Sequence, residues 1–260
     1  ENNIASGIFG TAIGGLNSAE AGATAIGNNN TGTQAYATAI GRLNQNTAAY
    51  AVAIGSENRA TGTYSTAIGY KSQATANNAI AVGNNATAPA ANTVVIGNNA
   101  SVNVNTSNSY NQSVAIGNNA KVGSEQGGTY QGRTANTGGT AVGHDAQTSY
   151  AGAVALGSAR ARASNSIAIG AHGGYWAITE ADGAFAVGNG AKVSTAQSVG
   201  GQAIGRGAFV QGAGGQAYGQ STKAYGQAAI AIGGGYDPTN GPNIPGGDTA
   251  ANVGSAAGAA

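Results

Sequence analysis

Thr38-Ala39-Ile40-Gly41, Val52-Ala53-Ile54-Gly55 and Thr66-Ala67-Ile68-Gly69 carry nearly the same four residues at intervals of 14. The small–aliphatic–Gly triplet extends outward in both directions, from Ala12-Ile13-Gly14 to Ala231-Ile232-Gly233. There are fifteen copies; eight of the fourteen gaps are 14 residues, two are 13, and the others are 20, 26, 18 and 17. A period of this length marks a repeat architecture, in which each unit buries its apolar face only by stacking on its neighbours.

Each unit reads as two short strands. Thr38, Val52, Thr66, Ile80 and Val94 stand two residues before the aliphatic position, an alternation of period 2 that places them on one face with Ile and puts Ala and Gly on the other. A second small pair follows the Gly by five and seven residues, as at Ala60 and Gly62 or Ala74 and Ala76. Between the strands lie pairs such as Asn28-Asn29, Asn84-Asn85, Asn98-Asn99 and Asn118-Asn119. Asn tolerates left-handed backbone, so these pairs read as corners. Stacked at strand spacing, the coils would form a flattened parallel solenoid on the order of 75–85 Å long. The favoured orientation has Ile and Thr/Val pointing inward against the Ala rows of the second strand, leaving a flat Ala/Gly face for a partner. The reverse, with Ala/Gly inside and Ile at a subunit contact, is left open.

Composition agrees with a repeat of small residues. Glycine supplies 46 of 260 residues, and charged residues only 7% against about 25% in an ordinary domain. A net charge of +1 argues against nucleic acid, which rewards clustered positive charge, and against a polybasic membrane surface. With four prolines and 41% hydrophobic residues, collagen and disordered chains are also excluded. The absence of cysteine removes disulfides and thiolate chemistry, and His144 and His172 are too far apart in sequence to suggest a histidine metal cluster. No cofactor is expected, and no enzyme: His144-Asp145 at a corner has neither a nucleophile nor a pocket beside it.

The strings Ser65-Thr66-Ala67-Ile68-Gly69, Ser113-Val114-Ala115-Ile116-Gly117 and Asn165-Ser166-Ile167-Ala168-Ile169-Gly170 resemble the repeat motif of YadA-like heads, the head domains of trimeric autotransporter adhesins. The resemblance runs over about residues 5–233. It implies an all-β, left-handed parallel β-roll assembled as a homotrimer. It also implies a surface adhesin, exposed at the bacterial outer membrane, that attaches the cell to a host receptor or matrix protein. Collagen, fibronectin, laminin and carcinoembryonic-antigen-related cell adhesion molecules are the family's ligands. Ice-binding solenoids and phage fibre segments are the alternatives, and the Thr positions are too often interrupted for the former. Residues 1–235 are expected to form the head. The Gly/Pro-containing tail 236–260 would lead toward a neck and stalk outside this sequence, with the membrane reached only through an anchor beyond it.

Because the repeat is scaffold, recognition is expected where the repeat is interrupted. The long gaps place insertions near 102–113, 123–139 and 171–184. These hold Tyr110; Tyr130 and Arg133; and His172, Tyr175 and Trp176, the only tryptophan. Aromatic and Arg side chains are common anchors of interfaces, which makes these six residues the candidate ligand contacts. Tyr36, Tyr50 and Tyr64, 14 apart, should stack as a ladder. Arg160 and Arg162 share one face of a short strand as a solvated pair.

Overall fold

A computed structural model describes residues 2–20, 22–103, 111–123, 138–170 and 175–234, and a short strand at Asn252–Val253. The described residues form strands and turns with no helix. The chain divides into two compact units, Glu1–His144 and Asp145–Ala260.

Each unit is a parallel β-solenoid. Every coil contributes one long strand to one sheet and one two-residue strand to a second sheet. In the first unit the long strands include β1 (Thr38–Arg42), β2 (Val52–Ser56), β3 (Thr66–Tyr70), β4 (Ile80–Asn84), β5 (Val94–Ile96), β6 (Val114–Ile116) and β7 (Thr140–Val142). They pair in parallel with like on like: Ala39 with Ala53, Ala53 with Ala67, Ala67 with Ala81. The gaps of 20 and 26 residues leave this register intact, since Val94 pairs with Val114 and Val114 with Thr140. The extra residues in these gaps therefore shift no strand of the long-strand sheet. In the second unit Ile167 pairs with Phe185 and Phe185 with Gln202 in the same way.

The alanines point inward. Ala25, Ala39, Ala53, Ala67 and Ala81 are fully buried, while Thr/Val and Ile on either side of them are partly exposed on the outer face of the sheet. This corrects the favoured orientation of the sequence reading in favour of its alternative. The cause is steric: the opposing short strands send Ala60, Ala74 and Ala88, or at most Val102 and Val122, into the same interior. The largest fully buried side chains among the described residues are Val, Asn and Thr, so two facing rows of Ile do not fit.

Two left-handed corners close each coil. Asn29, Asn85, Asn99 and Asn119, the second member of each Asn pair, have φ of 52–60°. Leu16, Leu43, Glu57 and Lys71 occupy the same corner with the same backbone, although such residues pay steric strain there. The conserved-looking Gly of the motif has a different reason. Gly41 has φ 121°, and a Cβ built on it would overlap the carbonyl oxygen of Gly55 in the next coil.

A buried amide ladder fills the space beside that glycine. Asn44 donates through Nδ2 to the carbonyls of Ile40 (2.9 Å) and Gly55 (2.9 Å) and to Oδ1 of Asn30 (3.0 Å). Its own Oδ1 accepts from the backbone N and Nδ2 of Asn58 (3.0 and 3.1 Å). Asn17, Asn30, Asn44 and Asn58 repeat this pattern, and Ser72 closes it by donating to the carbonyls of Ile68 and Gly83. Each ladder residue thus caps the Gly carbonyl of the following coil. Strand length follows this capping. The long strands whose glycine is capped, through β4 and Gly83, have five residues. At Ala86 the ladder ends, and the following strand, β5, has three. In later coils the backbone N–H at this position turns back on the Gly itself, as Ala120 on Gly117 and Ala191 on Gly188.

Asn44→Ala fits sterically, because Ala86 and Ala100 are native at the equivalent place. It should still lower stability by about 2–4 kcal/mol, since several buried polar groups lose partners at once. A reduced midpoint in urea unfolding is the expected result, and an unchanged midpoint would contradict the ladder's role.

Candidate functional site

The outward side chains of the short strands form the most chemically varied surface described. In the second unit these strands are β8 (Arg160–Ala161), β9 (Ile178–Thr179), β10 (Lys192–Val193), β11 (Phe209–Val210) and β12 (Lys223–Ala224). Their second residues are buried, so their first residues, and the residues just after the strands, face out. The register places Arg160, Ile178, Lys192, Phe209 and Lys223 in one row, one residue per coil. Arg162, Glu180 and Tyr225 lie in the row beside it.

Trp176 precedes β9 and is half-buried. The Arg160 guanidinium lies over its ring, 3.4 Å from the centroid. Cation and ring stack face to face, an arrangement worth about 0.5–2 kcal/mol depending on desolvation. Arg162 reaches Glu180 at 3.5 Å and Lys192 reaches the other oxygen of Glu180 at 3.7 Å. One carboxylate therefore tethers two cations while leaving the row net positive. Phe209 and Tyr225 meet with ring centroids 5.8 Å apart and planes tilted by 53°. Tyr175, 48% exposed, accepts a backbone bond from Gly190 and lines the edge of this surface.

Two of the six candidates from sequence are thus brought to one place: Tyr175 and Trp176. Tyr110, Tyr130, Arg133 and His172 lie outside the described residues. The sequence reading had Arg160 and Arg162 as a solvated pair. Both do face outward, but Arg160 covers Trp176 and Arg162 pairs with Glu180. It gave no role to Glu180, Lys192, Phe209 and Lys223. The signal was available in the spacing: once the coils are aligned on their glycines, the residue at the start of each short strand falls in one column.

The first unit carries two other features. Tyr36, Tyr50 and Tyr64 stack, with centroids 5.3 and 4.9 Å apart and planes within 17°. The ladder expected from their spacing is present, on residues at φ 58–59° in the second corner. Nearby, Glu57 pairs with Arg42 at 3.0 Å and with Lys71 at 3.7 Å. The Lys71 ammonium is held above its ordinary range, first by Tyr70 and then by Glu57. Glu57 and Lys71, together with Leu43, Arg59 and Gln73, border an open groove.

Residues 47–72, 60–86, 74–100 and 136–159 match the family described as YadA head domain repeat (2 copies). These stretches of the chain are similar to YadA head repeats. The matched coils include β2 to β4, whose inward alanines form one continuous row. No curated protein matches the sequence. In this chain the aliphatic position of the motif faces outward, and the aromatic and basic row of β8 to β12 lies on the other sheet.

Trp176 offers a direct probe of this arrangement. In Arg160→Ala the indole loses its cover, so acrylamide should quench its fluorescence more strongly than in the parent protein. Equal quenching in the two proteins would show that the guanidinium does not shield the ring.

Proposed function

We propose that the chain is the head of a trimeric autotransporter adhesin at the bacterial surface, attaching the cell to a host receptor or extracellular matrix protein. The observation that carries this reading is the match to YadA head repeats on a solenoid of the corresponding kind. The outer face of the long-strand sheet supports the trimer. Ile40, Ile54, Ile68, Val82 and Ile96 form a continuous aliphatic row there, flanked by Thr38, Val52, Thr66, Ile80 and Val94. These side chains are half-buried to exposed in the single chain, Ile80 and Ile96 being 36% and 38% exposed. A flat apolar face of this extent calls for a protein partner. Thin coils that bury mainly Ala gain little from their own core, so association supplies stability the single chain lacks. Three rolls meeting on this face would leave the short-strand sheet of the first unit turned outward.

The ice-binding alternative finds less support. It needs Thr in adjacent outward rows, whereas Thr47, Thr61 and Thr75 stand beside Gln45, Arg59 and Gln73.

Ile54→Glu places a charge in the proposed trimer contact without entering the coil interior. Light scattering should give three chains for the parent protein and one for the variant, with the β-sheet circular dichroism retained. For attachment, the trimer should bind at least one of immobilised collagen, fibronectin, laminin or a carcinoembryonic-antigen-related adhesion molecule. A confirmed trimer that binds none of them contradicts the adhesin reading. Full affinity in the Tyr175→Ala, Trp176→Ala double variant would remove these two residues from the contact.

A further inference from the structure

The row across β8 to β12 alternates in charge: Arg160, then Ile178, Lys192, Phe209 and Lys223. Cations recur at every second coil, about 9.6 Å apart at strand spacing, with an apolar side chain between them. The equivalent row of the first unit runs Ser18, Thr31, Gln45, Arg59, Gln73, Thr87, Ser101 and Lys121; its cations, Arg59 and Lys121, stand four coils apart with only neutral polar side chains between them. Beside the second-unit row lie Trp176 under Arg160, and Tyr225 against Phe209. A cation at a fixed interval along a straight strand ladder, with flat apolar surface between, complements a stiff linear polymer that has one acidic unit per repeat. The disaccharide of a glycosaminoglycan is about as long as two strand spacings. In the unsulfated form it carries a single acid per repeat, the uronate, and its hexosamine is uncharged. Its pyranose rings present C–H faces that stack on apolar and aromatic side chains, as amphipathic ligands do.

We propose that this face binds an unsulfated glycosaminoglycan lying along the strand-stacking direction. Successive acidic units meet Arg160, Lys192 and Lys223, and the intervening rings rest on Ile178, Phe209 and Tyr225. The period selects this polymer over a homopolymeric polyuronate, whose acids come at every sugar and would fall on Ile178 and Phe209 as often as on the cations. Glu180 holds Arg162 and Lys192 in place from the adjacent row and opposes any acidic group displaced onto it. The proposal adds a carbohydrate ligand to the attachment function. It rests on that reading only for its biological setting, because every contact comes from one chain.

The test is calorimetric titration of the whole protein with hyaluronan oligosaccharides of four, six and eight sugars. Oligogalacturonate and oligothymidylate of similar length serve as comparison polyanions. Affinity should rise from four to six sugars, when three uronates can meet three cations, and level off at eight. Both comparison polymers should bind more weakly. Lys192→Gln and Lys223→Gln should each weaken the hexasaccharide roughly two- to five-fold, the range for exposed ion pairs, and Arg59→Gln, which stands between Gln45 and Gln73 in the first unit, should not. Circular dichroism on the same samples establishes that the variants are folded. No binding by the folded protein, equal or tighter binding of either comparison polymer, or unaltered affinity in both Lys variants would overturn the proposal. Light scattering on the same samples separates the two readings. Binding by a protein that is not trimeric leaves the glycosaminoglycan site standing and sinks the trimer; a trimer that does not bind does the reverse.

Discussion

The width of the coil interior governs this structure. Two sheets approach so closely that the space between them takes one Ala from the long strand and one small residue from the short strand. Protein interiors are packed to the density of organic crystals, so this gap admits neither voids nor larger side chains without displacement of backbone. Everything else follows from satisfying that limit once per coil. Ala occupies the inward position of the motif in all copies but one, where Val95 takes it, and Ile is left outside because it is larger than the interior admits. Val95 and Val102, on the long and short strands of one coil, mark the upper bound of what the first unit accommodates.

The same narrowness makes polar groups as important as apolar ones. A core of alanine contributes modestly per residue, since hydrophobic stabilisation scales with the apolar area buried. The backbone carbonyls at the corners meanwhile need partners away from water. The Asn ladder from Asn17 to Asn58 answers this by linking each coil to the next through side-chain amides. After Ala86, which stands in the place of Asn, the long strands shorten to three residues, and in later coils the Gly carbonyl accepts from the backbone N–H three residues on, as Gly117 does from Ala120. The five- and three-residue strands are therefore two solutions to one bonding problem, selected by a single side chain in the preceding coil.

Much of this was legible in the sequence. The 14-residue period, the two strands, the Asn corners and the Tyr ladder all come from the spacing of small residues and glycines, because each is a local property repeated on a parallel stack. Of the three strings that carried the resemblance to a YadA-like head, the one at 65–69 lies within the family match, and the other two are at 113–117 and 165–170, outside it. The inward face was not legible, because alternation says which residues share a side and not which side is the interior. Leu16, Glu57 and Lys71 at left-handed corners were also hidden. Their own preferences oppose that backbone, and the stacked coils on either side impose it. Trp176 stood out by its rarity, yet its partner Arg160 lies 16 positions earlier and becomes a neighbour only through the coil register. The chain's low charge acquires a further meaning in this light. With so few cations available, placing Arg160, Lys192 and Lys223 in one column is what gives the second unit a patterned surface.

The most direct test of the account is the orientation of the motif, probed by Ala53→Leu. If Ala53 lines the interior, leucine there overpacks the coil, and the urea midpoint should fall by an amount corresponding to about 1–3 kcal/mol or more. A midpoint equal to that of the parent protein would mean that position 53 has room around it, and would contradict the narrow interior on which the rest of the structure depends.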